Sequence, residues 1–356
     1  MPSDYCFPFR WESRDVLDQA LRKNPGDFKA FFYLGNLLFD HQPEEAIRLW
    51  EKSVALDSGF VLGSRNLGLA YARVKNDVSR AIKSMEKARA LAPSEARLYY
   101  ELDLLYEAGG VSPDKRLALL MENHETVKQR DDALSSEIGL LAQLGEYHRA
   151  IELLENHHFH VWEGGGRIHN VYVDAHLLRG QKHFFSKEYK NALESYSMAL
   201  EYPDNLEVGR PVRGGGEPRV LYYIGTAYEA LGEKIKAREY YEKAVTQERG
   251  WSELSYFQGM SFQRLGRKDE AERMFSGLIR FSEERLRATE EMDFFAKFGE
   301  KQSAANRRAQ AHYLLGLSYF GKGNKERARE EFVNALELNI NHLWAEHFLT
   351  LIDRSQ

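Results

Sequence analysis

The chain has 356 residues, which is enough for several globular domains or for one elongated array of repeats. Its 43% hydrophobic and 29% charged residues argue against intrinsic disorder, and no long uncharged apolar run predicts a membrane-spanning helix. The formal net charge is −5 and acidic and basic residues alternate along the sequence, so no basic surface for nucleic acid is indicated.

Residues 1–27 are predicted to form an N-terminal tail and one leading helix, from Ser13 to Asn24. The sequence after Met1 lacks a basic segment followed by an apolar stretch, so we predict no secretory signal peptide and a cytoplasmic location. Cys6 is the single cysteine, which excludes an internal disulfide and makes any metal site depend on histidine or carboxylate side chains.

From residue 28 onward a pattern recurs with a period of about 34 residues. Its clearest copies place a glycine in a first helix and an alanine in a second helix, which removes side-chain bulk where the two helices cross. These glycine and alanine pairs are Gly35 and Ala46, Gly68 and Ala81, Gly225 and Ala237, and Gly316 and Ala328. Bulky residues further along the second helices are expected to pack against the next repeat, and they are Trp50, Met85, Tyr241 and Phe332.

Weaker copies of the pattern fill the gaps between the clear ones. Three of them span Leu134–His157, Ala175–Pro203 and Ser252–Arg280. Another, from Ala96 to about Asn123, is degenerate because Asp103 stands where glycine is expected. We therefore predict about eight repeats.

These small residues at their fixed spacing resemble the tetratricopeptide repeat. The resemblance implies an all-α fold, a right-handed superhelix (α-solenoid) of helix-turn-helix repeats. We expect the array to occupy residues 28–282, with a charged helical extension at 283–308 and a final repeat at 309–353 that ends in a closing helix, Leu343–Asp353.

Two glycine-containing segments interrupt the array, at about residues 157–170 and 204–218, and both are predicted to be non-helical. They flank the same repeat, so we expect them to lie close together. Phe159 and Trp162 are expected to anchor the first insertion on the solenoid, forming a ledge that includes His160 and Glu163.

The first insertion supports a narrower resemblance. The run Phe159–Gly165, together with Glu201–Leu206 and Tyr33–Leu38, is similar to the C-terminal repeat region of large bacterial proteins in which a β-rich domain of unknown function precedes the repeats. The resemblance implies that a β-domain of the same polypeptide is one candidate partner. It also implies an alternative function, as the accessory repeat domain of a carbohydrate-active or sugar-binding polypeptide.

The first helix of each repeat is expected to line a concave groove, where aromatic and arginine side chains would contribute most to partner binding. The predicted groove residues are Asn36, Arg65, Asn66, Arg97, Tyr100, Arg219, Tyr222, Tyr223, Tyr256, Phe257 and Tyr313. The alternative for each of them is packing against neighbouring helices. Asn36, Asn66 and Arg97 also match part of the carboxylate clamp of some tetratricopeptide modules, but Phe32 and Glu101 depart from it.

Neither a metal site nor a catalytic site is predicted. His157, His158, His160 and His169 are dense in sequence but lack the spacing of a zinc motif. The glycine runs lack the Lys-Ser/Thr of a phosphate loop, and no nucleophile is placed beside a base. We therefore expect a non-catalytic scaffold without a cofactor that binds a protein or peptide, and the sequence leaves its oligomeric state open.

Overall fold

The computed structural model describes residues 8–160, 167–210, 217–246, 250–288 and 304–354, and throughout these residues the secondary structure is helical with no strand. The described α-helices are α1 (Ser13–Lys23), α2 (Phe28–Leu38), α3 (Pro43–Leu56), α4 (Val61–Arg73), α5 (Val78–Leu91), α6 (Ala96–Ala108), α7 (Pro113–Glu122), α8 (His124–Val127), α9 (Asp131–Gln143), α10 (Tyr147–Asn156), α11 (Arg167–Phe185), α12 (Tyr189–Met198), α13 (Glu217–Ala230), α14 (Lys234–Val245), α15 (Glu253–Arg264), α16 (Lys268–Arg287), α17 (Ala304–Gly321), α18 (Lys325–Leu338) and α19 (Leu343–Arg354). The predicted all-α fold is confirmed.

The chain divides into two compact units, Met1–Glu137 and Ile138–Gln356, and the boundary falls inside α9. Most of the described helices form helix-turn-helix pairs, as the period predicts. These pairs are α2–α3, α4–α5, α6–α7, α9–α10, α11–α12, α13–α14, α15–α16 and α17–α18. The leading helix α1 and the closing helix α19 also lie where the sequence places them.

Local sequence signals explain where these helices begin and turn. The Asp27 carboxylate accepts a hydrogen bond from the Ala30 amide at 3.0 Å and so caps α2, while Pro43 starts α3 at a position that needs no amide donor. The turns after α13 and α17 contain Gly232 and Gly323, with φ of 82° and 79°, a region that other residues adopt only with strain.

The glycine of each clear repeat faces the bulky residue of its own second helix. A Cβ atom added at Gly35 would lie 2.5 Å from Trp50, and one added at Gly225 would lie 2.5 Å from Tyr241. Phe332 also stacks on Phe348 of the following helix α19, as expected, but each bulky residue fills the space beside the glycine of its own pair as well. The reason is steric, since the missing side chain leaves a gap inside the pair that only a large side chain from the partner helix fills.

Asp103 occupies the glycine position of α6, and Arg116, the fourth residue of α7, stands where the other second helices have alanine. Arg116 donates to both Asp103 oxygens, at 2.8 and 2.9 Å, and both side chains are buried. Burial opposes the charge on Arg116, but the carboxylates of Asp103 and Glu107 raise the pKa of its guanidinium. The degenerate repeat thus holds its helices together with a bidentate ion pair.

The described parts of the two insertions contact each other, as predicted. The Phe159 amide donates to the Asn205 carbonyl at 2.7 Å, and the Asn205 side chain donates to the carbonyls of Leu154 and His157, each at 2.7 Å. Phe159 is buried. Helices α11 and α13 begin at Arg167 and Glu217, slightly before the predicted ends of the insertions.

Some predicted features lie outside the described residues. These include Trp162 and Glu163 of the proposed ledge, the triple glycines at 164–166 and 214–216, and residues 289–303 of the charged extension. Within that extension, residues 283–287 continue α16 and residues 304–308 begin α17. Among the helices that the structure describes, none combines the length and apolar character needed to cross a bilayer.

Candidate interaction surfaces

In the first unit, Asn36 and Asn66 are engaged with each other. The Asn36 side-chain oxygen accepts hydrogen bonds from the Trp50 indole at 3.1 Å and from the Asn66 amide at 3.0 Å. Both asparagines are half-buried. Successive first helices, α2 and α4, are thereby linked through polar side chains that the sequence assigned to the groove.

Arg65 and Arg97 converge on Glu101, the residue that departs from the carboxylate clamp. Arg65 forms a two-point contact with the Glu101 carboxylate, in which Nε donates at 2.6 Å, and Arg97 Nε donates to the same carboxylate at 2.9 Å. Glu101 therefore neutralises the cations that a partner carboxylate would need. The Arg97 side chain remains 51% exposed, and Tyr100 beside it is half-buried.

In the second unit, the closing helix α19 contacts the first helices of successive pairs. The Trp344 indole donates to Asp174 of α11 at 3.1 Å, and Arg219 of α13 binds the same carboxylate oxygen at 2.9 Å. The Arg219 guanidinium also lies over the Trp344 ring, 4.7 Å from its centroid. Arg219 is thus occupied by a residue of its own chain.

Two opposing electrostatic effects, desolvation and charge pairing, act on this contact. Burial raises the pKa of the Asp174 carboxyl, while Arg219 and the Trp344 hydrogen bond act in the opposite direction. Burial disfavours charge on Arg219, but Asp174 and Glu253 raise the pKa of the guanidinium. An ion pair capped by an aromatic ring therefore fixes the first turn of α19.

Phe348 anchors the middle of α19 in an aromatic cluster. Its ring stacks on Phe332 of α18 at 5.7 Å between centroids, and it meets Tyr256 of α15 at 5.6 Å and Tyr313 of α17 at 6.3 Å. All four side chains are buried. Tyr256 and Tyr313, which the sequence assigned to the groove, thus pack against the closing helix.

A cavity of about 380 Å³ opens between α11, α13, α15, α17 and α19. Its walls are mostly aromatic or aliphatic, with a few polar groups. The lining residues are Gln181, Phe184, Phe185, Tyr222, Tyr223, Thr226, Glu229, Ala230, Tyr256, Phe257, Met260, Arg264, Phe320, Phe348 and Leu351. Four predicted groove residues, Tyr222, Tyr223, Tyr256 and Phe257, therefore meet at one cavity.

The polar edge of this cavity is a network around Glu229. Arg264 lies 3.2 Å from one Glu229 oxygen, and the Tyr241 hydroxyl donates to the other at 2.7 Å. Burial raises the pKa of Tyr222, so its hydroxyl stays protonated at neutral pH. The cavity thus combines an apolar floor with paired charges at one edge.

The predicted ledge is described only in part. His160 is exposed and lies beside His158 and Glu207, whereas Trp162 and Glu163 fall outside the described residues. Sequence reasoning missed Asp174, Trp344 and Phe348 around the closing helix and Glu207 beside the histidines, because only long-range packing brings each of them to its partners. One signal for the two aromatic residues was available, since Trp344 and Phe348 are four positions apart on one face of a predicted amphipathic helix.

Comparison with known proteins agrees with the repeat assignment. Residues 218–251 and 309–342 match the model of the tetratricopeptide repeat family, so the chain contains tetratricopeptide repeats. These segments coincide with the pairs α13–α14 and α17–α18.

Solved structures of tetratricopeptide proteins are similar to this chain at low identity. YrrB, described as a TPR protein with an unusual peptide-binding site, is 18% identical with a TM-score of 0.36, over 72% of this chain and 99% of that one. A tetratricopeptide repeat protein from Parabacteroides merdae is 16% identical with a TM-score of 0.45, over 82% of this chain and 98% of that one. The structure of Naa15/Naa10 bound to HypK is 16% identical with a TM-score of 0.37, over 97% of this chain and 53% of that one.

Proposed function

We propose that the chain is a non-catalytic protein-interaction scaffold whose second unit binds a large apolar or aromatic side chain of a partner peptide or domain. The observation that supports this function is the cavity of about 380 Å³ bounded by α11, α13, α15, α17 and α19. Repeat folds present the first helices of successive pairs as a binding surface, and this cavity lies among those helices.

The chemistry of the cavity specifies the kind of side chain that fits. Its volume of about 380 Å³ is at the lower end of the range for ligand pockets, and its walls offer aromatic faces and few polar groups. Burying one large apolar side chain there would contribute about 1.5–3 kcal/mol. Arg264 and Glu229 at the edge are placed to orient the partner backbone.

The test is a peptide-display selection on the purified chain, followed by binding measurements with the selected peptides by fluorescence anisotropy. We expect the selected sequences to share a large apolar or aromatic residue. Met260→Glu places a charge in the cavity wall and should weaken binding at least tenfold. Met198→Glu is the matched control, because Met198 is also half-buried but does not line the cavity.

Melting temperatures of both variants show whether the fold is retained. Equal peptide affinities in Met260→Glu and Met198→Glu, with both variants folded, would show that the cavity does not bind the partner. Selected peptides without any shared apolar residue would also contradict the proposal.

The first unit supplies a second, more polar surface within the same proposal. Arg97 is its exposed predicted contact and Tyr100 is half-buried, while Asn36, Arg65 and Asn66 are held in internal hydrogen bonds. The alternative function, in a sugar-binding or carbohydrate-active polypeptide, depends on Trp162. That residue lies outside the described part of the chain.

A further inference from the structure

Three side chains with metal-binding donor atoms come together where the two insertions meet. His158 Nε2 lies 2.8 Å from Glu207 Oε1, and His160 Nδ1 lies 3.6 Å from the same oxygen. The three donor atoms all lie within 4.8 Å of one another, and all three residues are exposed. The sequence showed the histidines, but Glu207 is 47 residues beyond His160 and only the fold brings it to them.

The backbone on both sides of this cluster is anchored. His158 and His160 flank Phe159, whose side chain is buried and whose amide bonds to Asn205, so the two imidazoles lie on the opposite side of an extended segment. Glu207 follows the buried Leu206 and adopts a left-handed conformation, with φ of 50°. This conformation ends the 3-10 helix Asp204–Leu206, so the turn sets the backbone position of Glu207.

We propose that His158, His160 and Glu207 form a binding site for one divalent transition-metal ion of the zinc class. Zinc binds imidazole nitrogen at about 2.0–2.1 Å and carboxylate oxygen at about 2.0–2.2 Å, so two donors on one ion lie about 3–3.5 Å apart. The distances of 2.8 and 3.6 Å to Glu207 are close to that separation. Small rotations of the exposed side chains bring the donors to coordination distance.

The donor set determines the class of ion. Two imidazoles and one carboxylate suit zinc, nickel, cobalt and copper, whereas magnesium and calcium prefer oxygen donors alone. Three protein ligands leave positions for water or for a group from a partner. The bound ion would tie the segment after α10 to the segment after α12, and so fasten the two insertions together at one edge of the α11–α12 pair.

The alternative explanation is an ion pair between a protonated histidine and Glu207, which needs no metal. The chain contains a matched example of such a pair. His183 Nδ1 lies 2.5 Å from Glu188 Oε2 and the two side chains are partly exposed, but among the described residues they do not belong to a cluster of three donors. His183→Gln is therefore the control for the loss of an accessible histidine.

The experiment uses the full chain without an affinity tag, freed of metal by a chelator. Zinc chloride is titrated calorimetrically, and cobalt chloride is titrated with visible absorbance as a readout of coordination. Three variants are compared. They are Glu207→Gln, the double variant in which both His158 and His160 are changed to Gln, and the control His183→Gln. We expect one zinc ion per chain in the wild type and in His183→Gln, and at least tenfold weaker binding in the other two variants.

Thermal unfolding gives a second readout. Zinc should raise the melting temperature of the wild type and of His183→Gln but not of the ligand variants, because an ion that binds only the folded state stabilises it. Equal melting temperatures of all variants without metal show that folding is retained. The proposal would be overturned if the wild type showed no saturable zinc binding, or if Glu207→Gln bound zinc as tightly as the wild type. The cluster would then be an ion pair without a metal. Zinc binding is measured without a partner peptide, so its outcome does not depend on whether the cavity of about 380 Å³ binds a partner.

Discussion

In the third helix pair, α6–α7, Asp103 replaces the glycine of the other repeats and Arg116 replaces the alanine. The bidentate contact, at 2.8 and 2.9 Å, joins two side chains that are 1% and 5% exposed. Removing two charges from water is costly, and the cost is recovered only when both partners are present. The two substitutions are therefore coupled.

Asp103→Ala should lower the free energy of unfolding by about 3–5 kcal/mol, because it leaves the Arg116 charge buried without its main partner. Glu107, 3.3 Å from Arg116, offsets part of this cost and favours the lower end of the range. Urea denaturation measures the effect. The double variant Asp103→Gly with Arg116→Ala, which restores the glycine and alanine pair of the other repeats, should recover most of the stability. A loss below about 1 kcal/mol in Asp103→Ala would show that the pair contributes little.

At the scale of single helices, α19 differs from an ordinary capping helix. A capping helix covers the end of a repeat stack, whereas α19 also contacts α11, α13 and α15 through Trp344 and Phe348. Its apolar face is therefore buried among the first helices of its own unit. The cavity of about 380 Å³ that we propose binds a partner lies beside α19, and Phe348 and Leu351 form one of its walls.

Phe348→Ala should destabilise the second unit by about 3–5 kcal/mol, since it removes an almost fully buried ring and leaves a cavity. Phe9→Ala is the matched control, because the Phe9 side chain is 81% exposed and its truncation should change stability by less than about 0.5 kcal/mol. Thermal unfolding followed by circular dichroism measures both. Equal melting temperatures for the two variants would mean that α19 does not hold its place through this ring.

At the scale of the whole molecule, the buried His176 and the half-buried His342 and His347 make stability depend on pH. Burial lowers the pKa of His176 to about 3 and the pKa values of His342 and His347 to about 4. Their unfolded-state pKa is about 6.5. Between these values the unfolded chain binds more protons than the folded chain, so stability falls as pH falls. The stability is fully present above about pH 6.5 and is lost towards pH 4.

Acidification from pH 7.5 to pH 4.5 should therefore lower the melting temperature, with each of these histidines contributing on the order of 2 kcal/mol. His347→Gln should reduce the pH dependence, because it removes one group whose pKa burial lowers to about 4. His148→Gln, at an exposed histidine, is the control for the loss of a histidine side chain. Differential scanning fluorimetry across this pH range gives the comparison. Identical pH profiles for the wild type and His347→Gln would show that His347 does not titrate on unfolding.

The sequence by itself determined the helical fold, the repeat period, the leading and closing helices and the contact between the insertions. These features are encoded locally, because helix periodicity, turn glycines and small residues at helix crossings act within one repeat or between neighbours. It also identified Tyr222, Tyr223, Tyr256 and Phe257, which share one cavity.

Only the tertiary structure decided how exposed those residues are. A position on the inner side of a first helix is open to a partner unless another segment covers it. Helix α19 packs against Tyr256, although it begins almost 90 residues later in the sequence. Alanine at Tyr222 and Tyr256 is expected to lower the melting temperature, because both side chains are buried. The meeting of Glu207 with His158 and His160 is decided in the same way. Long-range packing brings these groups together, and no local pattern in the sequence records it.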